Sequence, residues 1–394
     1  MNKTLSVFFI IVVSFAIFML ERSYMFKQDL VGETIVSTTV YIGLLIIVSL
    51  AAILLSKQSI GDLSVSRRFT ILMIVVYILS LLFAFVHPFG SRYTYFFIIL
   101  PLLLFFFPSK VYSDKYNGLL LWSMIIVAVL LTFFYYNNYS NNILYNIEQQ
   151  YNGSYSVLYL LPFLLCVKNR YLRFGLMAMV LFIVIISLKR GGFFAVIAGL
   201  LAFFIISYFS LKGNRFKVGH YLILISAITV LYFLIDYINL NFTGSMLYDR
   251  IGSIEENEGG GRFEIYKNYI GFIASDSLFH WIFGHGWAGS LDSGFNVTCH
   301  NDFLEVFVDF GLIGFSVYIS FWVALFKLTR RMIREKFEYA AAMGASLAIF
   351  FVNSMVSHIF IYSWYMIEFS LFWGYMVAVY RFSQMTQNKV IGNH

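Results

Sequence analysis

Charge is what this sequence lacks most. Asp, Glu, Lys and Arg make up 12% of its 394 residues, where soluble domains carry about 25%. That excludes an ordinary water-soluble domain, and an apolar content of 60% points the same way. Proline is scarce, at 4 residues, which leaves long helices uninterrupted. The two cysteines, Cys166 and Cys299, are far apart and give neither a disulfide framework nor a C-x-x-C metal motif. Cys299 adjoins His300, but a structural zinc takes four ligands and no second Cys/His cluster lies near in sequence. No metal is expected. Neither a Gly-rich dinucleotide fingerprint nor a P-loop occurs, so no cofactor is expected and any reaction must draw its energy from the substrate. No internal repeat relates the two halves, as secondary transporters commonly require.

What remains is a membrane protein. Phe (45) and Tyr (28) are abundant, which suits long helices with interfacial aromatics. The opening MNKTLSVFFIIVVSFAIFML has the charge and apolar core of a signal peptide but no A-x-A-like cleavage site, and reads as a retained first span. Apolar runs long enough for a bilayer predict helices near 4–20, 35–55, 70–87, 93–107, 117–136, 155–167, 174–188, 191–210, 221–240, 303–326, 340–357 and 361–380. The expected fold is therefore all-α and polytopic: about 12 transmembrane helices with one large loop carrying short amphipathic helices. It divides into membrane helices at 1–240, the loop at 241–302, and membrane helices with a tail at 303–394. Alternate connections hold 19 of the 27 cations on one side, while 16 of the 20 acids lie elsewhere. The positive-inside rule then places both termini in the cytoplasm and the loop outside. It also accounts for the net charge of +7 without nucleic acid.

Against that count, Lys189-Arg190 is an exception: two cations in a very short turn on the cation-poor side. A charge at membrane depth is costly and tends to be kept for a partner, although both side chains could simply snorkel. Gly191-Gly192 follow and permit close approach. In the loop, three glycines (259–261) lead into Arg262, after which Phe263, Tyr266, Ile270 and Ile273 share one helical face and Glu264 and Lys267 the other. Arg262 stands where a helix start can bind an anion, or it pairs with Glu255, Glu256 or Glu258. Gly284-His285-Gly286 reads as a tight turn that exposes His285, with substrate contact as the second reading; His280 reads as interfacial packing. His300-Asn301 opens an apolar helix with Asn301 as N-cap, and Asp302, Glu305 and Asp309 form a polar stripe along it. That stripe suits a helix N-terminus on structural grounds alone. A histidine facing two arginines suits proton transfer.

The ordered series SLKRGGFF (187–194), GGRFEIYKNYI (260–270), the G-x-G turn (284–286) and HNDFLEVFVDFGLIG (300–314) resembles the O-antigen polymerase/ligase family over about half the chain. The resemblance implies an inverting, metal-independent glycosyltransferase of the bacterial inner membrane, with its active site at the periplasmic face. It implies a donor glycan on undecaprenyl pyrophosphate, and as further partners the bilayer, a chain-length regulator and a flippase. Arg190 and Arg262 would match the family's functional arginines and His300 its functional histidine, with Lys189 departing from the more usual Ser/Thr. Asn301, His285, Glu264, Asp302 and Glu305 would join Arg190 and Arg262 around the substrate; Glu264, Asp302 and Glu305 are reserve bases. The activity so implied is a polymerase moving the growing glycan onto the next lipid-linked repeat. A ligase moving it to lipid A-core is the alternative, and a non-enzymatic flippase the rival of another class.

The charge asymmetry has a direct test. Cysteines at Glu256 and Asp292 should react with an impermeant thiol reagent applied to the periplasm, and one at Arg331 should not. Labelling at Arg331 in sealed cells would reverse the orientation.

Overall fold

The computed structural model describes residues 64–83, 94–111, 114–143, 153–211, 261–290, 295, 297–360 and 363–391, with shorter stretches between 229 and 252. Among these residues every regular element is a helix. In chain order they are α1 (Ser64–Leu82), α2 (Thr94–Val111), α3 (Asp114–Ile143), α4 (Gly153–Leu165), α5 (Arg170–Ile186) and α6 (Arg190–Ile205), which runs into a π-helical turn at Ile206–Leu211. Then follow α7 (Arg262–Ser275), α8 (Leu278–Phe283), α9 (Asp302–Arg334), α10 (Ala340–Val356) and α11 (Ser363–Ile391). Each membrane helix expected from 70 to 210 and from 303 to 380 corresponds to one of these. The runs at 4–20 and 35–55, most of 221–240 and most of the polar stretch before Gly261 lie outside the described residues.

Among the described residues, four segments are long and apolar enough to cross a membrane: Ser64–Leu82, Gly118–Asn137, Arg190–Tyr208 and Asp302–Arg334. Their outward faces stay apolar, with Ile78, Ile126, Phe133 and Phe326 all well exposed. A helix apolar all round belongs in lipid, where such faces cost nothing and the helical ladder satisfies every backbone group. The inward faces interlock through aromatic rings. Phe69 of α1 lies 5.0 Å from Phe321 of α9 and 4.7 Å from Phe105 of α2. The buried Trp373 of α11 meets Phe350 of α10 at 5.0 Å. At one end of the bundle Lys168, between α4 and α5, pairs at 3.0 Å with Glu338, between α9 and α10. That ion pair joins two of the cation-rich connections at a single end.

The other end is organised by a break in α9. Gly311 has φ 60° and ψ −164°, a region open in practice only to glycine. The break frees carbonyls that a continuous helix would use, and the Gly-His-Gly turn supplies their donors: His285 N–H to the Val308 carbonyl at 3.0 Å and Gly286 N–H to that of Asp309 at 2.7 Å. The two backbones touch so closely that a Cβ on Gly284 would strike the Asp309 carbonyl, and one on Gly311 that of Ile282. The side chain of Asp309 extends the junction by accepting from the N–H groups of Ala288 (2.9 Å) and Ser290 (3.0 Å). The turn is thus a splint across a helix break.

Gly311→Ala should therefore destabilise the detergent-solubilised protein by at least the roughly 1–3 kcal/mol of a disfavoured backbone, read as a fall in thermal midpoint. Gly118→Ala, on an exposed helix face with nothing within 4 Å of the new methyl, should be neutral or gain about 0.5–1 kcal/mol. Equal responses would show that the break carries no structural demand.

Candidate functional site

The cation that stands out in the sequence, Arg190, is the first residue of α6. The turn before it is tight: Leu188 has φ 55°, and Lys189 is the extended N-cap. Gly191 then lets three elements meet. A Cβ there would lie 3.2 Å from the Tyr155 hydroxyl of α4, and 3.1 Å and 3.7 Å from Val356 and the Asn353 Oδ1 of α10. Asn353 is fully buried, and both its polar atoms lack a hydrogen-bond partner among the described residues.

Arg262 is likewise a first residue, that of α7, placed after Gly261 at φ 78°. Its charge reaches Tyr155, Tyr266, His300 and His358. The Tyr266 hydroxyl of α7 lies 3.3 Å from the His300 carbonyl and 3.1 Å from that of Met355, tying α7 to the start of α9 and the end of α10. The face of α7 that packs inward is Ile265, Tyr269, Phe272 and Ile273, while Phe263 and Ile270 remain exposed. The amphipathic helix is present, rotated from the expected face because Tyr269 anchors it through its hydroxyl to the Ser290 carbonyl at 2.8 Å.

His300 sits immediately before α9 with φ 50°, a left-handed backbone rare for a residue with a side chain and common at functional sites. Its ring lies 4.7 Å from that of His358, whose Nδ1 is 2.9 Å from the Thr298 hydroxyl. Burial, then the charge of Arg262, holds the His300 pKa below its usual value. Burial, then His300 and Arg262, pushes His358 down to about 3. Both rings are neutral at neutral pH, and a neutral imidazole can accept a proton.

Of the remaining expected residues, Asn301, Asp302 and Glu305 hold the scaffold. Asn301 caps α9, accepting from Phe303 N–H (2.9 Å) and Leu304 N–H (3.1 Å) and donating to the Met355 carbonyl at 3.1 Å. Asp302, fully buried, accepts from the Ser354 hydroxyl (2.7 Å) and from the N–H groups of Ile359 (2.8 Å) and Phe360 (3.0 Å). Glu305, also fully buried, accepts from Ser290 Oγ and from Cys299 N–H at 2.6 Å. Glu264 is exposed in the first turn of α7. His285 is half-buried against Asp276, about two helical turns further along α9 than His300. Arg190, Arg262, His300 and Asn301 thus gather at the meeting of four helix starts (α4, α6, α7, α9) and the end of α10, whereas His285 belongs to the splint. Sequence reasoning missed Tyr155, Asn353 and His358. Their partners are remote in the chain, and each sits inside or beside an apolar run that reads as membrane helix.

The neutral histidines predict a pH dependence of stability. An unfolded histidine binds its proton near pH 6.5, before the folded His358 does, so stability is full above that pH and is lost as pH falls towards 3. One such group contributes at most about 1.4 kcal/mol per pH unit. Unfolding measured between pH 7 and pH 4 should show a shallower slope for His358→Gln than for the native chain; equal slopes would contradict the buried neutral ring.

No curated protein matches this chain. Residues 174–319, the stretch that contains Arg190, Arg262, His285 and His300, match the model of a family described as O-antigen ligase. With the apolar helices, that match supports an integral membrane protein with a function of the O-antigen ligase/polymerase type, consistent with the O-antigen polymerase/ligase family that its motifs resemble.

Proposed function

We propose that this protein is an O-antigen polymerase, transferring a growing glycan from undecaprenyl pyrophosphate to a lipid-linked repeat unit at the periplasmic face of the inner membrane. The observation that carries the proposal is the convergence at Arg262, whose charge reaches both the neutral His300–His358 pair and Tyr155, which packs on Gly191 beside Arg190. Two arginines and several helix starts at one end of a bundle suit a pyrophosphate, since guanidinium forks and free N–H groups both bind phosphate oxygens. Pyrophosphate departs readily, so fixed positive charge is the main catalytic requirement.

In the transfer, an acceptor hydroxyl oxygen attacks C1 of the donor sugar as the bond from C1 to the pyrophosphate oxygen breaks. The hydroxyl proton passes to His300, and undecaprenyl pyrophosphate leaves with the electron pair held by Arg190 and Arg262. A single displacement inverts the anomeric centre. The unpartnered amide of Asn353 and the Tyr155 hydroxyl are placed to meet ligand oxygens arriving at Gly191. Asp302 and Glu305 act by positioning the loops rather than as bases. The family description favours a second reading, a ligase, in which the same donor is moved onto lipid A-core. The two differ in acceptor and not in the residues that hold the donor.

Arg190→Ala and Arg262→Ala should each abolish transfer and weaken lipid-pyrophosphate binding, with Arg→Lys only partly restoring both. His300→Ala should lower turnover by roughly 10²–10⁴ and leave donor binding largely intact. Transfer at the native rate by His300→Ala would remove the histidine as proton acceptor. Full activity in either lysine variant would show that simple charge, not a guanidinium fork, suffices at that position.

A further inference from the structure

The segment between α7 and the Gly-His-Gly turn gathers three ligand-type side chains that the transfer chemistry does not use. Asp276 follows α7, His280 lies in α8 and His285 is the centre of the turn. His285 Nε2 is 2.6 Å from Asp276 Oδ2, His280 Nδ1 is 3.3 Å from Asp276 Oδ1, and the two imidazole rings are 4.1 Å apart. One ligand atom from each residue lies within 4.8 Å of the others. We propose that Asp276, His280 and His285 form a binding site for a divalent transition-metal ion of the zinc type.

The donor set selects the class of ion. Two imidazoles and one carboxylate suit zinc and its first-row neighbours, whereas calcium and magnesium favour oxygen ligands throughout. The dimensions agree. Metal–ligand bonds of about 2.0–2.2 Å set the ligands of a tetrahedral ion roughly 3.3 Å apart. Asp276 Oδ1 and His280 Nδ1 already stand at 3.3 Å, and His285 Nε2, 2.6 Å from Oδ2, would draw back by about 0.7 Å as the ion replaced its hydrogen bond to Asp276.

The ligands are also held in place, which is the usual mark of a metal site. Asp276 Oδ1 accepts from Ser277 N–H at 2.8 Å. His285 stands between Gly284 (φ 75°) and Gly286 (φ 87°), with its own N–H fixed to the Val308 carbonyl. Phe272, 5.1 Å from the His285 ring, closes one side. Side-chain exposures of 36% for His280, 16% for His285 and 13% for Asp276 leave the trio reachable from outside. Three protein ligands leave at least one coordination position for water or another group.

The sequence conceals this site because its ligands fall at i, i+4 and i+9 with a helix start between them, unlike any compact metal motif. Its position gives it a consequence. An ion there would fasten the end of α7, the helix that begins with Arg262, to the splint across the break in α9. It would lie about two helical turns along α9 from His300, so this site is separate from the sugar-transfer step and the proposal does not rest on it.

The test uses the full-length protein in detergent, stripped with chelator and titrated with Zn²⁺ alone. Saturable uptake of one Zn²⁺ per chain is expected, with a rise in thermal midpoint that chelator reverses. His280→Gln, at the most exposed of the three positions, should keep the fold and lose affinity by more than the roughly 10–100-fold typical of a second-shell change. Asp276→Asn should do the same, and circular dichroism of both variants confirms folding. Absence of saturable uptake in the native chain, or unchanged affinity in either folded variant, would show a hydrogen-bonded trio only and overturn the proposal.

Discussion

Three buried carboxylates on one helix determine how this end of the bundle is built. Asp302, Glu305 and Asp309 lie along one side of α9 and are all inaccessible to solvent. A carboxylate in such surroundings is costly unless hydrogen-bonded, and each accepts from backbone N–H groups of a segment outside the α-helices. Such segments leave their own N–H groups in need of acceptors wherever water is excluded. Helix and loops thus answer each other's deficits, and the loops acquire fixed positions. The close approach of the His300 and His358 rings follows, because Asp302 grips the residues directly after His358 while Asn301 begins the helix directly after His300.

Much of this was legible in the sequence, for physical reasons. Apolar runs are long, and a helix is the simplest way to satisfy a backbone in lipid, so α1 to α6 and α9 to α11 fall where hydropathy places them. Asn301 as an N-cap and Arg262 at a helix start follow from local chemistry that does not depend on the rest of the chain. The polar stripe on α9 was visible as a pattern, but its purpose was not. Side chains such as Asp309 meet backbone N–H groups some twenty residues away, and no spacing rule encodes that. The Gly-His-Gly turn reads alone as an exposed turn; only the break at Gly311 shows that it completes another element's hydrogen bonds. Tyr155, Asn353 and His358 were hidden by their apolar neighbours, for in a membrane helix one polar residue among many apolar ones is visible but its partner is not.

The carboxylates of α9 and the amide of Asn353 differ in how far they are satisfied. Asp302, Glu305 and Asp309 are saturated with donors, while Asn353 has none among the described residues and the guanidinium of Arg262 faces neutral rings. In the reading proposed above, positive charge at helix starts, the neutral imidazole pair and the amide of Asn353 would together receive a phosphate-bearing ligand with hydroxyl groups.

The most direct measurement is to supply purified protein in lipid with repeat units linked to undecaprenyl pyrophosphate, and nothing else. Polymerisation predicts a ladder of glycans lengthening by whole repeats, formed by the native chain and not by Arg262→Ala. Unchanged repeat units in a preparation that binds the lipid pyrophosphate would contradict it, and transfer appearing only when lipid A-core is added would assign the site to ligation.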